Sequence, residues 1–177
     1  MGILDQSWLE KAEARLVSIR SQQLWLNPLE GPFDLSYLKN VHRHLFQDVY
    51  PWAGELRTVD ISKGDSRFAH HAFLEGAAVA IFKKLSGEYS LAQLDTDGFC
   101  ARAAFYLGEL NALHPFREGN GRCCREFIGL VARRNGYVFR WKTVNQKTWV
   151  QASIDSFHGR LDGMSVILRS AIHPLRG

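Results

Sequence analysis

The sequence has little of what marks secreted, membrane-spanning or repetitive proteins. Its 177 residues include three cysteines, Cys100, Cys123 and Cys124. So small and odd a number gives no disulfide framework and is typical of a reducing cytoplasm, where buried cysteines simply pack. No apolar run approaches the roughly 20 residues that a membrane-spanning helix needs. Repeats and low-complexity segments are also absent.

The N-terminus also lacks the basic stretch and apolar core of a secretory signal peptide, since it carries Asp5 and Glu10. We therefore expect a cytoplasmic protein. The net charge of +4 is a mild excess of scattered basic residues with no recognition-helix signature, so direct nucleic-acid binding is not expected. The length fits one domain, and we expect residues 1–177 to form it.

Apolar residues recur at helical spacing along most of the chain, which predicts an all-α fold. Asp34 is expected to cap the second helix, and either Asp95 or Thr96 the fourth. The helices are predicted over residues 5–26, 35–49, 72–85, 96–113, 120–134, 146–157 and 162–172.

Residues 56–68 have a different pattern, with apolar and polar residues interleaved and turn-forming residues at 63–66. This pattern predicts a short β-hairpin whose turn lies near Gly64. The hairpin could also be a surface feature without a function, because two strands alone are only marginally stable in water. The sequence thus predicts a helical bundle with one small hairpin.

The densest chemistry lies in residues 114–125, His-Pro-Phe-Arg-Glu-Gly-Asn-Gly-Arg-Cys-Cys-Arg. A glycine-rich turn that opens a helix presents unpaired backbone N–H groups to an anion. Arg122 and Arg125 are three residues apart, share a helix face and can neutralise a polyphosphate. The Asn120 amide is expected to be an extra donor. The stretch is not a P-loop, because it lacks G-x-x-x-x-G-K-S/T.

Two side chains in this stretch suggest further roles. His114 is suited to general-base catalysis at neutral pH, although it could instead simply cap a helix end. Glu118 would repel phosphate unless a cation intervenes, which suggests Mg²⁺. The alternative for Glu118 is an ion pair with Arg122 near the helix N-terminus.

The remaining histidines suggest no chemistry of their own. His42 and His44 are expected to be surface or hydrogen-bonded core residues. Metal binding by His70 and His71 is not expected, because adjacent histidines diverge on regular elements and no carboxylate cluster supports them.

This stretch matches the Fic (filamentation induced by cAMP) motif, H-x-F-x-D/E-G-N-G-R-x-x-R, at every fixed position. The resemblance extends through residues 52–57, Trp-Ala-Gly-Glu-Leu-Arg, and the hairpin to Phe68. It covers roughly residues 35–160, with flanking helices at both ends. The chain therefore resembles a Fic domain, a helical bundle with a β-hairpin flap.

The resemblance implies transfer of AMP from ATP to a Ser, Thr or Tyr hydroxyl of a target protein. His114 would be the base and Glu118 the Mg²⁺ ligand. Phe116 would anchor the loop in the core. The residues implied in nucleotide binding are Lys63, Gly64, Phe116, Arg117, Gly119, Asn120, Gly121, Arg122 and Arg125. The flap would hold the target by strand pairing. Its residues would be Ile61, Ser62, Lys63, Gly64, Asp65 and Ser66.

Fic proteins are commonly inhibited by a helix bearing S/T-x-x-x-E-G/N, whose glutamate pairs with the second motif arginine, here Arg125. The sequence contains no full copy. Glu30 is the nearest imitation, but Asn27-Pro28 would break a helix there. The chain thus resembles the toxin branch of the family, which implies a small antitoxin that supplies the glutamate and a bacterial target such as a type II topoisomerase.

Other interpretations stay open. The chain could be the Fic domain of a secreted effector that modifies host proteins. It could also transfer UMP, phosphocholine or phosphate. A non-catalytic nucleotide-binding module is disfavoured, because both His114 and Glu118 are present.

Overall fold

The computed structural model describes residues 6–63 and 66–175, and it confirms the all-α fold. This part of the chain forms seven α-helices. They are α1 (Gln6–Leu26), α2 (Leu35–Phe46), α3 (Leu74–Gly87), α4 (Thr96–Leu113), α5 (Asn120–Arg134), α6 (Gln146–Phe157) and α7 (Asp162–Ala171).

The predicted caps explain where two of these helices begin. The Asp34 carboxylate accepts a hydrogen bond from the Tyr37 N–H at 2.7 Å, and the Asp95 carboxylate accepts one from the Gly98 N–H at 2.8 Å. The α5 helix begins differently, because its N-cap is Gly119 and no side chain caps it. Its first N–H groups therefore keep their capacity to bind an anion.

The core is built around α4, which packs against α3, α5, α6 and α7. Its residues Phe99, Tyr106 and Leu110 are almost fully buried. The α2 helix packs against α1 and α5 on the other side of the bundle. Cys123 and Cys124 are buried, as expected for cysteines that pack.

The bounds of α2 and α3 differ from the predictions. The α2 helix ends at Phe46 instead of continuing to residue 49, and turns follow it. A 3₁₀ turn at His71–Phe73 precedes α3, so that helix begins at Leu74. Among the described helices, none is long and apolar enough to cross a membrane.

The described strands form two small antiparallel pairs. The predicted hairpin consists of β1 (Ser62–Lys63) and β2 (Ser66–Arg67), in which Ser62 faces Arg67. Its turn residues, Gly64 and Asp65, lie outside the described residues. A second pair, β3 (Tyr137–Phe139) with β4 (Ile172–Pro174), was not predicted, and the predicted seventh helix wrongly included Ile172.

Candidate active site

A cavity of about 1010 Å³ lies where the end of α4, the start of α5 and one face of α6 meet. Trp149 on α6 and Trp141 before it line the opposite wall. A second concavity of about 820 Å³, near the end of α5, includes Glu30 but no motif residue. The motif residues that line the first cavity are His114, Glu118, Gly119, Asn120, Gly121, Arg122 and Arg125.

His114 ends α4 in the left-handed conformation, with φ 46° and ψ 62°. Its Nδ1 lies 3.2 Å from the Asn111 carbonyl oxygen. Because a carbonyl oxygen can only accept, the neutral ring carries its hydrogen on Nδ1 and its lone pair on Nε2. Phe68, just after the hairpin, stacks on the ring at 3.8 Å. The imidazole is thus held at the cavity wall with Nε2 as its basic atom.

The buried guanidinium of Arg57 ties the base of the hairpin to this histidine. It donates to the main-chain oxygens of His114 at 2.8 Å, Val59 at 2.8 Å and Leu113 at 3.3 Å, and also to that of Ala69. Burial lowers the pKa of Arg57, although nearby Asp60 raises it. Sequence reasoning included Arg57 only within the resemblance, since nothing local signals a buried cation in an alternating segment.

The loop between His114 and α5 is closed by one side chain. The Phe116 N–H donates to Asn120 Oδ1 at 2.9 Å, and Asn120 Nδ2 donates to the Phe116 oxygen at 2.7 Å. Oδ1 and one Nδ2 hydrogen of Asn120 are therefore used within the loop, and donation of the second Nδ2 hydrogen to an anion stays a prediction. The backbone N–H of Asn120 remains part of the α5 N-terminus.

His42 supports the same loop from below and is fully buried, as expected for a hydrogen-bonded core histidine. Its Nδ1 accepts the Gly54 N–H at 2.9 Å, so Nε2 carries the hydrogen and donates to the Glu118 carbonyl oxygen at 3.0 Å. Its ring stacks on Phe116 at 3.8 Å. Burial lowers the pKa of His42 to about 4. A neutral ring thus fixes the backbone of the loop, a role that the sequence did not reveal.

The two glycines of the motif serve different needs. Gly119 has φ +76°, and a Cβ there would lie 2.3 Å from the Phe46 ring. A Cβ at Gly121 would meet no atom within 4 Å. Gly119 is therefore required by the fold, whereas Gly121 leaves space at the cavity.

The two motif arginines have different surroundings. Arg122 forms an ion pair with Glu13 of α1, and its guanidinium lies 4.9 Å from the Phe46 ring centroid. The alternative pairing of Arg122 with Glu118 is therefore wrong. Arg125 lies 5.6 Å from the Trp149 ring centroid. Burial, and secondly the nearby Arg122, lower the pKa of Arg125. Within residues 6–63 and 66–175, no carboxylate forms an ion pair with Arg125.

Two of the residues implied in nucleotide binding do not line the cavity. Phe116 is buried beneath the loop, and Arg117 is exposed with its guanidinium 6.0 Å from the Trp52 ring centroid. Lys63 lies in β1, and Gly64 falls outside the described residues.

His70 and His71 do not diverge, contrary to the expectation. Their rings stack at 4.5 Å, and both contact the Asp60 carboxylate, at 3.2 Å and 2.9 Å respectively. His70 Nδ1 accepts the Ala72 N–H, so Nε2 carries the hydrogen that faces Asp60. The hydrogen bonds from both histidines to Asp60 thus join the two ends of the hairpin segment.

The bundle places His114, the uncapped N-terminus of α5 and two arginines around one cavity, as expected from the resemblance to the Fic/DOC family. The family profile matches residues 32–132, and the chain belongs to this family.

Two curated relatives extend the similarity beyond that segment. The chain is 47% identical over 169 residues to "Protein adenylyltransferase VbhT" of Bartonella schoenbuchensis. This match covers 96% of the chain but 35% of VbhT, so the chain spans about a third of that relative. It is also 36% identical to the "Probable protein adenylyltransferase Fic" of Salmonella typhimurium, covering 99% of the chain and 87% of that protein.

Among solved structures, the chain resembles the N-terminal Fic domain of a VirB-translocated Bep effector protein from Bartonella quintana with bound ADP. The TM-score is 0.91 at 25% identity, covering 99% of this chain and 89% of the other. The Bartonella tribocorum BepC protein with bound AMPPNP gives a TM-score of 0.90 at 24% identity and shares the fold.

Proposed function

We propose that the chain is a protein adenylyltransferase that transfers AMP from ATP to a Ser, Thr or Tyr hydroxyl of a target protein. The observation that carries the proposal is the placement of His114 and the α5 N-terminus on one cavity. Relatives named as adenylyltransferases and a similar domain with bound ADP support it.

The start of α5 suits the phosphates of ATP. Its uncapped N–H groups and the helix dipole favour an anion, and Arg122 and Arg125 add positive charge on the same cavity wall. The open space at Gly121 lets a phosphate oxygen approach the backbone closely. In this proposal Arg122 holds the β-phosphate and Arg125 the γ-phosphate.

Glu118 is the residue that would hold Mg²⁺. It contributes the carboxylate among the residues that line the cavity, it is exposed, and it adjoins the proposed phosphate site. Hard oxygen ligands of this kind, together with phosphate oxygens, are what Mg²⁺ prefers. The bound ion would neutralise charge that develops on the departing pyrophosphate.

His114 then acts as the general base. Its Nε2 takes the proton of the target hydroxyl while the hydroxyl oxygen attacks the α-phosphorus, and the bond from that phosphorus to pyrophosphate breaks. The Nδ1 hydrogen bond to the Asn111 oxygen holds the ring in place. Such proton transfer contributes roughly 10²–10⁴-fold.

The hairpin is the proposed flap for the target protein. An added strand would pair with its backbone whatever the target sequence, and Phe68 and Arg57 connect it to His114. A bacterial type II topoisomerase in the cytoplasm is the proposed target. The proposed partner is a small antitoxin that supplies a glutamate to Arg125.

The test incubates the purified chain with a bacterial lysate and ATP labelled on either the α- or the γ-phosphate. We expect a target protein to be labelled from α-labelled ATP alone, and His114→Ala to abolish labelling. His173→Ala is the matched control, because His173 is a histidine of β4 that does not line the cavity. Labelling from the γ-phosphate would instead indicate kinase activity.

The antitoxin has its own test. If the isolated chain were inactive until one of its terminal segments was deleted, inhibition would be internal and the antitoxin proposal would be wrong.

A further inference from the structure

We infer that Glu13 of α1 is a positioning residue, which holds Arg122 in the orientation that binds a nucleotide phosphate. The inference rests on the proposed function of Arg122. It also assigns a role at the site to a helix that precedes residue 32, where the family match begins.

The Glu13 carboxylate is fixed at both oxygens. Oε1 pairs with Nη2 of Arg122, and Oε2 accepts the hydroxyl hydrogen of Tyr50. The Glu13 side chain is 12% exposed. Tyr50 is itself held by stacking on Trp52 at 4.4 Å. The carboxylate is therefore a preorganised acceptor, and its position does not depend on Arg122 alone.

Glu13 approaches Arg122 from behind the site. Arg122 lines the cavity, whereas Glu13 and Tyr50 do not. A glutamate that competed with phosphate for the arginine would have to occupy the cavity. Since an arginine has five N–H donors, the contact through Nη2 leaves others available to a phosphate.

Two further interactions affect the orientation of the Arg122 guanidinium. The Phe46 ring packs against the face of the guanidinium. Phe46 therefore fixes the plane of the group, and Glu13 fixes its Nη2 end. Burial, and secondly repulsion by Arg122 one helical turn away, lowers the pKa of Arg125. A negative charge behind Arg122 offsets that repulsion. Arg122 thus loses its side-chain freedom before a nucleotide arrives, and binding does not have to supply that ordering.

The test compares Glu13→Ala, Glu13→Asp and Tyr50→Phe with wild type. The measurements are ADP affinity by calorimetry and the kcat and KM for ATP in the labelling reaction. We expect Glu13→Ala to weaken ADP binding and raise the KM for ATP by about tenfold, with kcat changed by less than about threefold. Glu13→Asp should recover part of the affinity, and Tyr50→Phe should cause a smaller loss. Arg15→Ala, at an exposed charged residue of the same helix that does not line the cavity, is the control expected to leave both unchanged.

A double-mutant cycle separates positioning from a merely structural role. In an Arg122→Ala background, Glu13→Ala should have no further effect on ADP affinity. An additional loss there would show that Glu13 acts through the packing of α1 and would overturn the inference. Tighter ADP binding by Glu13→Ala would do the same, because it would identify Glu13 as a competitor. Since ADP binding needs no target, failure of wild type to label any protein would count against the proposed function alone.

Discussion

The motif loop, residues 114–121, and the hairpin, residues 61–68, both belong to the proposed active site. They differ in how many tertiary contacts fix their positions. The loop is closed by Asn120, supported by His42 and packed against Phe46. The hairpin consists of two residue pairs, and Ser62 and Arg67 are exposed. The side proposed to bind a nucleotide is thus preorganised, whereas the side proposed to meet a target is anchored at its base by Arg57 and Phe68.

This contrast is best tested first at the loop, with Gly119→Ala. The added Cβ would lie 2.3 Å from the Phe46 ring at a backbone φ of +76°. Overpacking and backbone strain together should lower the free energy of unfolding by about 3 kcal/mol or more and abolish labelling. Urea denaturation and the labelling assay measure the two effects.

Gly121→Ala is the matched control within the same motif. Its Cβ meets no protein atom within 4 Å, so the free energy of unfolding should change by less than about 1 kcal/mol. ADP affinity should nevertheless fall, because the Cβ would occupy the space assigned to phosphate. Equal destabilisation by the two substitutions would contradict the distinction between the glycines.

His42, the histidine beneath the loop, should make the stability of the fold depend on pH. The pKa of His42 is about 4 in the folded chain, compared with about 6.5 in an unfolded one. Between these values the unfolded state binds more protons, so the stability supplied by the neutral ring is lost as pH falls from 6.5 to 4. The loss should reach about 3 kcal/mol at pH 4.

Denaturation of wild type and His42→Gln from pH 7 to pH 4 measures this loss. The difference between the two curves is needed because Glu126, whose pKa is raised by burial, acts in the opposite direction. The glutamine amide can replace both hydrogen bonds without titrating. The wild type should therefore lose more stability than the variant, and parallel curves would show that His42 does not titrate.

The sequence predicted those features that depend on local patterns. Helical periodicity placed α5 and α6 at their observed positions, and Asp34 and the pair Asp95–Thr96 marked two helix starts. The strand pair β3–β4 was missed because its two halves are short and more than 30 residues apart. The predicted helix 162–172 ran into β4, since apolar spacing alone does not show where a helix ends.

At the site, the motif identified the residues around the cavity but not their supports. Glu13, His42 and Arg57 act through contacts with residues distant in sequence, and no local spacing reveals such contacts. The hydrogen bonds by which Asn120 closes the loop onto Phe116 were also not predicted, because they depend on the folded shape of the loop. Sequence patterns thus indicate which groups can perform chemistry, and tertiary contacts decide which of them are committed to structure.

The smallest effect is expected in the hairpin, where Ser62→Ala tests whether pairing with a target depends on the backbone alone. Ser62 is exposed and pairs with Arg67 through the strand register, so the free energy of unfolding should change by less than about 0.5 kcal/mol. Main-chain pairing does not involve the side chain, so labelling of the target should change less than about twofold. Quantified labelling at limiting target concentration is the measurement. A tenfold loss without destabilisation would mean that the hairpin recognises its target through side chains, and the contrast with the preorganised loop would then have to be abandoned.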